Sequence, residues 1–345
     1  MATILDIAEK LGISKGTVSK ALNGAPDISE TLRKSVLETA VELGYTKMRR
    51  KKDVQKKLCV LVENMDYTDP NHFGYDLIIG FRKMAEPAGY LVDVIPVNAK
   101  MQKNISYDVF MLENDYLGSF ILGLSLNDPW INDLRTSHTP AVLYDNYISA
   151  NPSVSYIGID NQEGMDLAVS YLKSLGHKKI GYLSGALGSH VHQVRHKAFF
   201  NALKQYGLKS DPQFAGCSYY VAECIQKHLP RLLSLGITAI ICSHDLLANA
   251  ALVQCQELGY HIPDDVSIVG FDDLPICAYT QPPLTTIRQD RPELGKCGYY
   301  ALDSLMNHVS IGTMLLHAQL IRRSSAGCAP GEDALPKSDN KTVKE

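Results

Sequence analysis

Along the first 46 residues, apolar side chains recur every three or four positions in three short bursts separated by glycine and small polar residues. Ile4, Ile7, Ala8 and Leu11 share one helical face, and Gly12 stops it. Val18, Ala21 and Leu22 follow behind Ser14, a good N-cap, and end at Asn23-Gly24. A third stripe of Leu32, Val36, Leu37, Ala40 and Leu43 starts behind Ser29 and runs to Gly44. Helices this short do not hold their shape alone in water, so the three must pack through their stripes.

Beyond residue 57 the period changes. "KLCVLV", "YLVDVIPV", "SFILGLS", "PAVLYD" and "SYIGID" read as strands, spaced by helical stretches such as "GYDLIIGFRKMAEPAG". A second series, "KKIGYLSG", "TAIICSHD" and "VSIVGFDD", alternates with "QEGMDLAVSYLKSLG", "HQVRHKAFFNALKQYG" and "LLANAALVQCQELG". The expected fold is a small all-α head followed by two α/β lobes with parallel sheets, which place ligands at the carboxyl ends of their strands.

Charge sharpens this division. Residues 1–57 hold 12 Lys/Arg against 7 Asp/Glu, while the other 288 hold 22 against 30. The near-neutral whole therefore hides a basic end, and "TKMRRKKDVQKK" supplies most of it. An acidic partner for that end is implied. Two readings fit the first two helices: a helix-turn-helix whose second helix offers Lys15, Gly16, Thr17, Ser19 and Lys20 to the major groove, or a surface hairpin with solvated lysines.

In the body, polar residues fall at strand ends: Asp145, Asp160, His244 and Asp272, with Arg195 on the helix after "YLSG". Each alone could be a loop cap. Together they suit a polyhydroxylated ligand, since carboxylates accept from hydroxyls and arginine donates through a fork. His190, His192 and His196 lack a nearby Cys or carboxylate, so they read as surface or cleft-rim histidines and no metal is expected. The eight cysteines show no CxxC and read as reduced core thiols. No P-loop, G-x-S-x-G, H-E-x-x-H or G-x-G-x-x-G follows the first strand, so neither an enzyme nor a cofactor is expected. No unbroken run of 18 apolar residues and no export signal is present, so membrane contact is not expected and a cytoplasmic location is.

"TILDIAEKLGISKGTVSKALNG" followed by "ISETLRKSVLETAVELGY" resembles the DNA-binding head of the lactose-repressor (LacI/GalR) family. The resemblance implies that Lys15, Gly16 and Lys20 read bases, while Thr3, Ser14, Thr17, Ser19, Asn23 and Ser29 sit on phosphates. Lys20 stands where the family usually has Arg. Residues 47–57 fall where relatives carry a hinge, with Arg50 in its basic run and Val54 at the minor-groove wedge position; the abundant lysines shift that hinge toward charge. "VSYIGIDNQEGMDLAVSYLKSLGHKKIGYLSG", "CSHDLLANAAL" and "PPLTTIRQDRPELG" are similar to the family's effector domain, built like periplasmic sugar-binding proteins.

That likeness implies Phe73 stacking on an effector that Arg195, His244 and Asp272 hydrogen-bond between two lobes. The implied division is a head at 1–46, a hinge at 47–57, an effector and dimerisation domain at 58–328, and a disordered tail at 329–345. Within the effector domain, lobe one spans about 58–160 and 291–320, and lobe two about 161–290 and 321–328. The expected function is a homodimeric transcription regulator, a repressor rather than an activator, on a palindromic double-stranded operator. Its effector is expected to be a sugar or sugar derivative, with a purine or other metabolite as the alternative.

Overall fold

The computed structural model describes residues 2–45 and 55–331. Three helices form the head: α1 (Ile4–Leu11), α2 (Lys15–Leu22) and α3 (Glu30–Glu42). Each begins on a hydroxyl that accepts a backbone amide, worth about 1 kcal/mol per cap. Thr3 and Asp6 form a reciprocal capping box, Ser14 Oγ accepts from Thr17 N at 3.0 Å, and Ser29 Oγ accepts from Leu32 N at 3.3 Å. Gly12 adopts φ 65° to end α1, a left-handed turn that costs glycine least. Ile7, Ala8, Val18, Ala21, Leu22, Val36, Leu37 and Ala40 make the head's buried core.

The chain, head included, divides into two compact units. Unit 1 holds the head together with β1, Gly74–Ile157 and Pro292–Met314, and unit 2 holds Thr68–Phe73, Gly158–Arg291 and the described residues after Met314. Unit 1 is built on β1 (Lys56–Val62), β2 (Tyr90–Pro96), β3 (Tyr116–Leu122), β4 (Ala141–Tyr144) and β5 (Val154–Ile159). Its helices are α4 (Phe73–Ala85), α5 (Ala99–Asn104), α6 (Tyr107–Glu113) and α7 (Pro129–Leu134). Unit 2 carries β6 (Ile180–Ser184), β7 (Ala215–Cys217), β8 (Ala239–Cys242), β9 (Ser267–Asp272) and β10 (Thr285–Arg288), with α8 (Asn161–Ser174), α9 (His190–Gln205), α10 (Val221–Ser234) and α11 (Asp245–Glu257). Helix α12 (Arg291–Met306) and β11 (Thr313–Leu316) return to the first sheet, and β12 (Gln319–Ile321) closes the second.

The two sheets have matching strand orders, β11-β5-β4-β3-β1-β2 and β12-β10-β9-β8-β6-β7. Pairing is parallel from β1 to β5 and from β6 to β10, while β12 runs antiparallel to β10. The buried parallel strands read as unbroken apolar runs, as helices on both faces require. Phe271, Tyr182, Phe199 and Leu172 fill one face of the second sheet, and Leu183, Leu229, Ile240 and Cys242 fill the other.

Two close approaches fix unit 1. Helices α4 and α12 cross at Gly80 and Gly295, where a Cβ at Gly295 would fall 2.1 Å from the Leu77 carbonyl oxygen. The head rests on α6: Val109 is buried in the head's own core cluster, Ile105 and Leu112 pack beside it, and Arg33 Nη2 pairs with Glu113 Oε1 at 3.2 Å. All eight cysteines are free thiols, five of them buried in the sheets or their covering helices.

Candidate functional site

The head and the strand ends of unit 2 each gather a separate set of polar groups. On α2, Lys15, Gly16 and Lys20 are exposed, whereas Val18, Ala21 and Leu22 face the head core. Ser14 and Thr17 share a 2.9 Å hydroxyl contact, and Asn23 Nδ2 donates to the Ser19 carbonyl oxygen at 2.7 Å, closing the end of the helix. The Lys20 ammonium pairs with Asp27, whose carboxyl is held below its usual range by that hydrogen bond. Thr3, Ser14 and Ser29 are occupied as helix caps. Arg50 and Val54 lie outside the described residues.

In unit 2 the buried centre is Arg195, only 3% exposed. Its Nε donates to Asn161 Oδ1 at 2.8 Å and its Nη1 donates to the Ser243 carbonyl oxygen at 2.6 Å. The guanidinium carbon lies over Phe271, 3.8 Å from the ring centroid, with Nη1 3.6 Å from Asp272 Oδ1. Gln289 Nε2 holds the same Asp272 oxygen at 2.6 Å. Asp272 (φ 120°) and Asp273 (φ 54°) sit in backbone regions that non-glycine residues rarely adopt. Arg288 Nε and Arg323 Nη2, each at 2.7 Å from the Asp273 carboxylate, over-determine that turn.

His244 caps α11, its Nδ1 accepting from Leu247 N at 3.2 Å, so the acceptor nitrogen is assigned by the fold. Burial and the nearby Arg195 hold His244 down to about 4. Burial, Arg195 and His244 together hold His192 down to about 3; the two rings lie 6.2 Å apart. Both imidazoles are therefore neutral at physiological pH. His196 instead packs on Tyr182 and Phe200.

The other sequence candidates lie elsewhere. Asp160 caps α8, its Oδ1 accepting from the Gln162 and Glu163 amides at 3.0 Å. Asp145 follows β4 at φ 54° in unit 1. Phe73 opens α4 with the Arg291 guanidinium 5.7 Å from its ring centroid. Among the described residues, no group of three or more His, Cys, Asp or Glu could hold a metal ion, and no helix is long and apolar enough to cross a membrane.

Sequence reasoning missed Asn161, Ser243, Phe271 and Gln289, the groups that orient Arg195 and Asp272. Phe271 and Asp272 adjoin in "VGFDD", so the apolar run that stops on Asp272 carried a signal for the ring. Nothing local marked Asn161.

Comparisons with known proteins converge on one family. Residues 3–47 match the model of bacterial regulatory proteins, lacI family, and residues 169–326 match a periplasmic binding protein-like domain. The HTH-type transcriptional repressor CytR of Escherichia coli K12 is 31% identical over 336 residues, covering 95% of this chain and 97% of its own. The transcriptional regulator CelR in complex with cellobiose superposes with a TM-score of 0.69 at 22% identity, covering 94% of this chain and 100% of its own. The Lac repressor dimer bound to operator and the anti-inducer ONPF gives a TM-score of 0.65 at 24% identity, over 95% and 99% of the two chains. With an exposed reading helix at one end and a buried Arg–Asp constellation at the strand ends of the other, the chain belongs to the lacI family of bacterial regulatory proteins, ligand-controlled and DNA-binding.

Proposed function

We propose that the chain is a homodimeric repressor acting in the cytoplasm on a palindromic operator, under the control of a sugar or sugar derivative. The observation that carries the DNA half is the orientation of α2, which turns Lys15, Gly16 and Lys20 outward while Val18, Ala21 and Leu22 anchor it. Such a helix reads base edges, and lysine suits guanine acceptors. Thr3, Ser14, Thr17, Ser19, Asn23 and Ser29 are proposed on phosphates, and Arg50 and Val54 at the hinge. The complex of the Lac repressor dimer with its operator supports this use of the fold.

For the effector, Arg195, His244 and Asp272 are proposed as direct hydrogen-bonding contacts, with Asp145 and Asp160 as further contacts and Phe73 as a stacking face. Asp272 supplies an acceptor and neutral His244 a donor, the pair that hydroxyl groups satisfy. CelR holding cellobiose is consistent with that chemistry. A dimer is supported by α11, where Leu246 (54% exposed) and Val253 (45%) stand seven residues apart on one outward face. A twofold protein matches a palindromic site.

Effector binding coupled to operator binding by about 1–3 kcal/mol changes operator affinity roughly 5- to 150-fold. The test is a mobility-shift titration of the full chain against a palindromic fragment from upstream of its own gene. The expected result is a shifted complex whose affinity one member of a sugar panel changes. Failure of every such fragment to bind at low salt, with or without sugars, overturns the proposal.

A further inference from the structure

Helix α6 buries side chains on two of its faces. Tyr107, Phe110 and Met111, spaced i, i+3, i+4, enter the core of the first sheet beside Trp130 and Ile121. Val109 and Leu112, three apart on the other face, join the core of the head, and Glu113, one turn on from Val109, meets Arg33 of α3 at 3.2 Å. Val109 is 6% exposed, so the head's apolar core is closed by a side chain that the head itself does not contain. A helix that is apolar on opposite faces belongs between two packed bodies, and α6 stands between these two.

Hydrogen bonds fix the sheet side of α6. Tyr107 Oη and Ser119 Oγ share a 2.7 Å hydrogen bond, Tyr107 N donates to Asp133 Oδ2 at 3.0 Å, and Ser137 Oγ donates to Asp108 Oδ1 at 2.6 Å. Trp130 Nε1 donates at 2.8 Å to the carbonyl oxygen of Ile105, whose side chain packs against both cores. Held in this way, α6 moves only with the first sheet, and the seated head moves with α6. The main contact of the head is through α3. On α2, Lys15, Gly16 and Lys20 stay exposed in the seated state, so the head is ready to read rather than held away from DNA.

We propose that this seat orders the head on its own effector domain before DNA arrives, and that Val109 and Glu113 thereby determine which spacing between operator half-sites the dimer accepts. One base pair more or less between half-sites displaces one of them by about 3.4 Å and turns it by roughly 35°. A head on a free tether follows that change. A seated head must break its seat or give up its base contacts, because hydrogen bonds fail on displacements well below that size. The penalty is therefore what the seat is worth, and burial of Val109 alone sets it at about 10- to 150-fold in affinity. The spacing half of the inference rests on the dimer and operator reading given above; the ordering of the head does not.

Full-length protein is first followed without DNA by amide hydrogen exchange. Val109→Asp should speed exchange of the α3 amides about 10- to 150-fold over wild type, since an unseated head loses a side chain of its core. Glu113→Arg sets two cations face to face without touching the sheet core, and as the second variant it should speed α3 by a smaller factor. Trp130, the single tryptophan, lies in the core beneath α6, so unchanged emission shows that unit 1 remains folded. Anisotropy titrations then use a palindromic fragment from upstream of the gene, with its centre lengthened or shortened by one base pair. Wild type should lose about 10- to 150-fold in affinity on either change. Val109→Asp should bind the parent fragment more weakly than wild type and lose no more than about twofold on the altered spacings, with Glu113→Arg between the two.

Equal α3 exchange in wild type and Val109→Asp, or a wild type that accepts the altered spacings within about twofold, overturns the inference. So does tighter binding of the parent fragment by either variant, the mark of a head held away from DNA. If Trp130 emission shifts in Val109→Asp, the same comparisons are decided by Glu113→Arg. Failure of wild type to bind any fragment overturns the operator reading and the spacing claim with it, while the exchange result separately decides whether the head is seated.

Discussion

Asn161→Ala tests whether Arg195 is held as described. The Asn161 side chain is 4% exposed and Arg195 is 3% exposed, so neither group has water to fall back on. The variant removes the 2.8 Å acceptor of Arg195 Nε and the 3.2 Å donation of Asn161 Nδ2 to the Ile159 carbonyl oxygen. A hydrogen bond to a charged group contributes about 1.5–3 kcal/mol and a neutral one about 1, so the loss should be roughly 3 kcal/mol. For domains of this size that corresponds to a Tm decrease of roughly 6–12 °C.

Asn161→Asp separates the cause, because it keeps the acceptor and adds charge complementarity; it should recover most of the stability while losing the Ile159 contact. The assay is thermal and urea unfolding of all three proteins at one concentration, followed by titration with the effector identified from the panel. Effector affinity should fall at least about tenfold in Asn161→Ala, since a guanidinium left free to rotate meets its ligand in the wrong geometry. An Asn161→Ala protein within about 0.5 kcal/mol of the wild type, the range of an ordinary surface change, would refute the reasoning.

Four further outcomes follow. Lys20→Ala should lower discrimination between the operator and a variant site roughly 5- to 100-fold, the range of one base contact; Asp27→Ala, which releases Lys20, should tighten operator binding in an anisotropy titration. Glu63, pushed up from 4.5 to about 6 by burial and Asp128 against the opposing hydrogen bond from Gln102, binds more protons folded than unfolded between those values. Its ionisation therefore costs stability as pH rises through that window, so Glu63→Gln should stabilise the protein above about pH 6 and lose the gain below about pH 4.5. Gly295→Ala places a methyl 2.1 Å from the Leu77 oxygen and 2.8 Å from Phe81 N, so α4 and α12 must part at a cost of about 1–3 kcal/mol in denaturant unfolding; Gly312→Ala, with open space around it, is the silent control. Val253→Asp should convert dimers to monomers in sedimentation velocity and leave the far-ultraviolet spectrum unchanged.

The elements that could be read from the sequence were those with a strong period and a clear stop. The three head helices carry their caps one residue ahead of the first helical residue, and the strands that pair in parallel, such as "AIIC", are apolar on both faces. Less visible were α5, α6 and α7, each of six or seven residues, too short for periodicity to register. Helix α10 was hidden by Pro230 within it, and β10 by its threonines. The site divides the same way. Acidic residues at strand ends are visible because an unbroken apolar run stops on them. The groups that orient them are not: Asn161 reaches Arg195 across 34 positions and Ser243 across 48, and only the folded sheet brings those positions together.

The seat of the head on α6 also bears on how such regulators can be recombined. Val109 completes the head's apolar core and Glu113 answers Arg33, so part of what stabilises residues 2–45 is encoded more than sixty positions downstream. A head transplanted onto a foreign effector domain carries its reading helix with it but leaves this seat behind. Chimeric repressors built from this chain therefore need α6 to travel with the head, or its two contacts rewritten into the recipient.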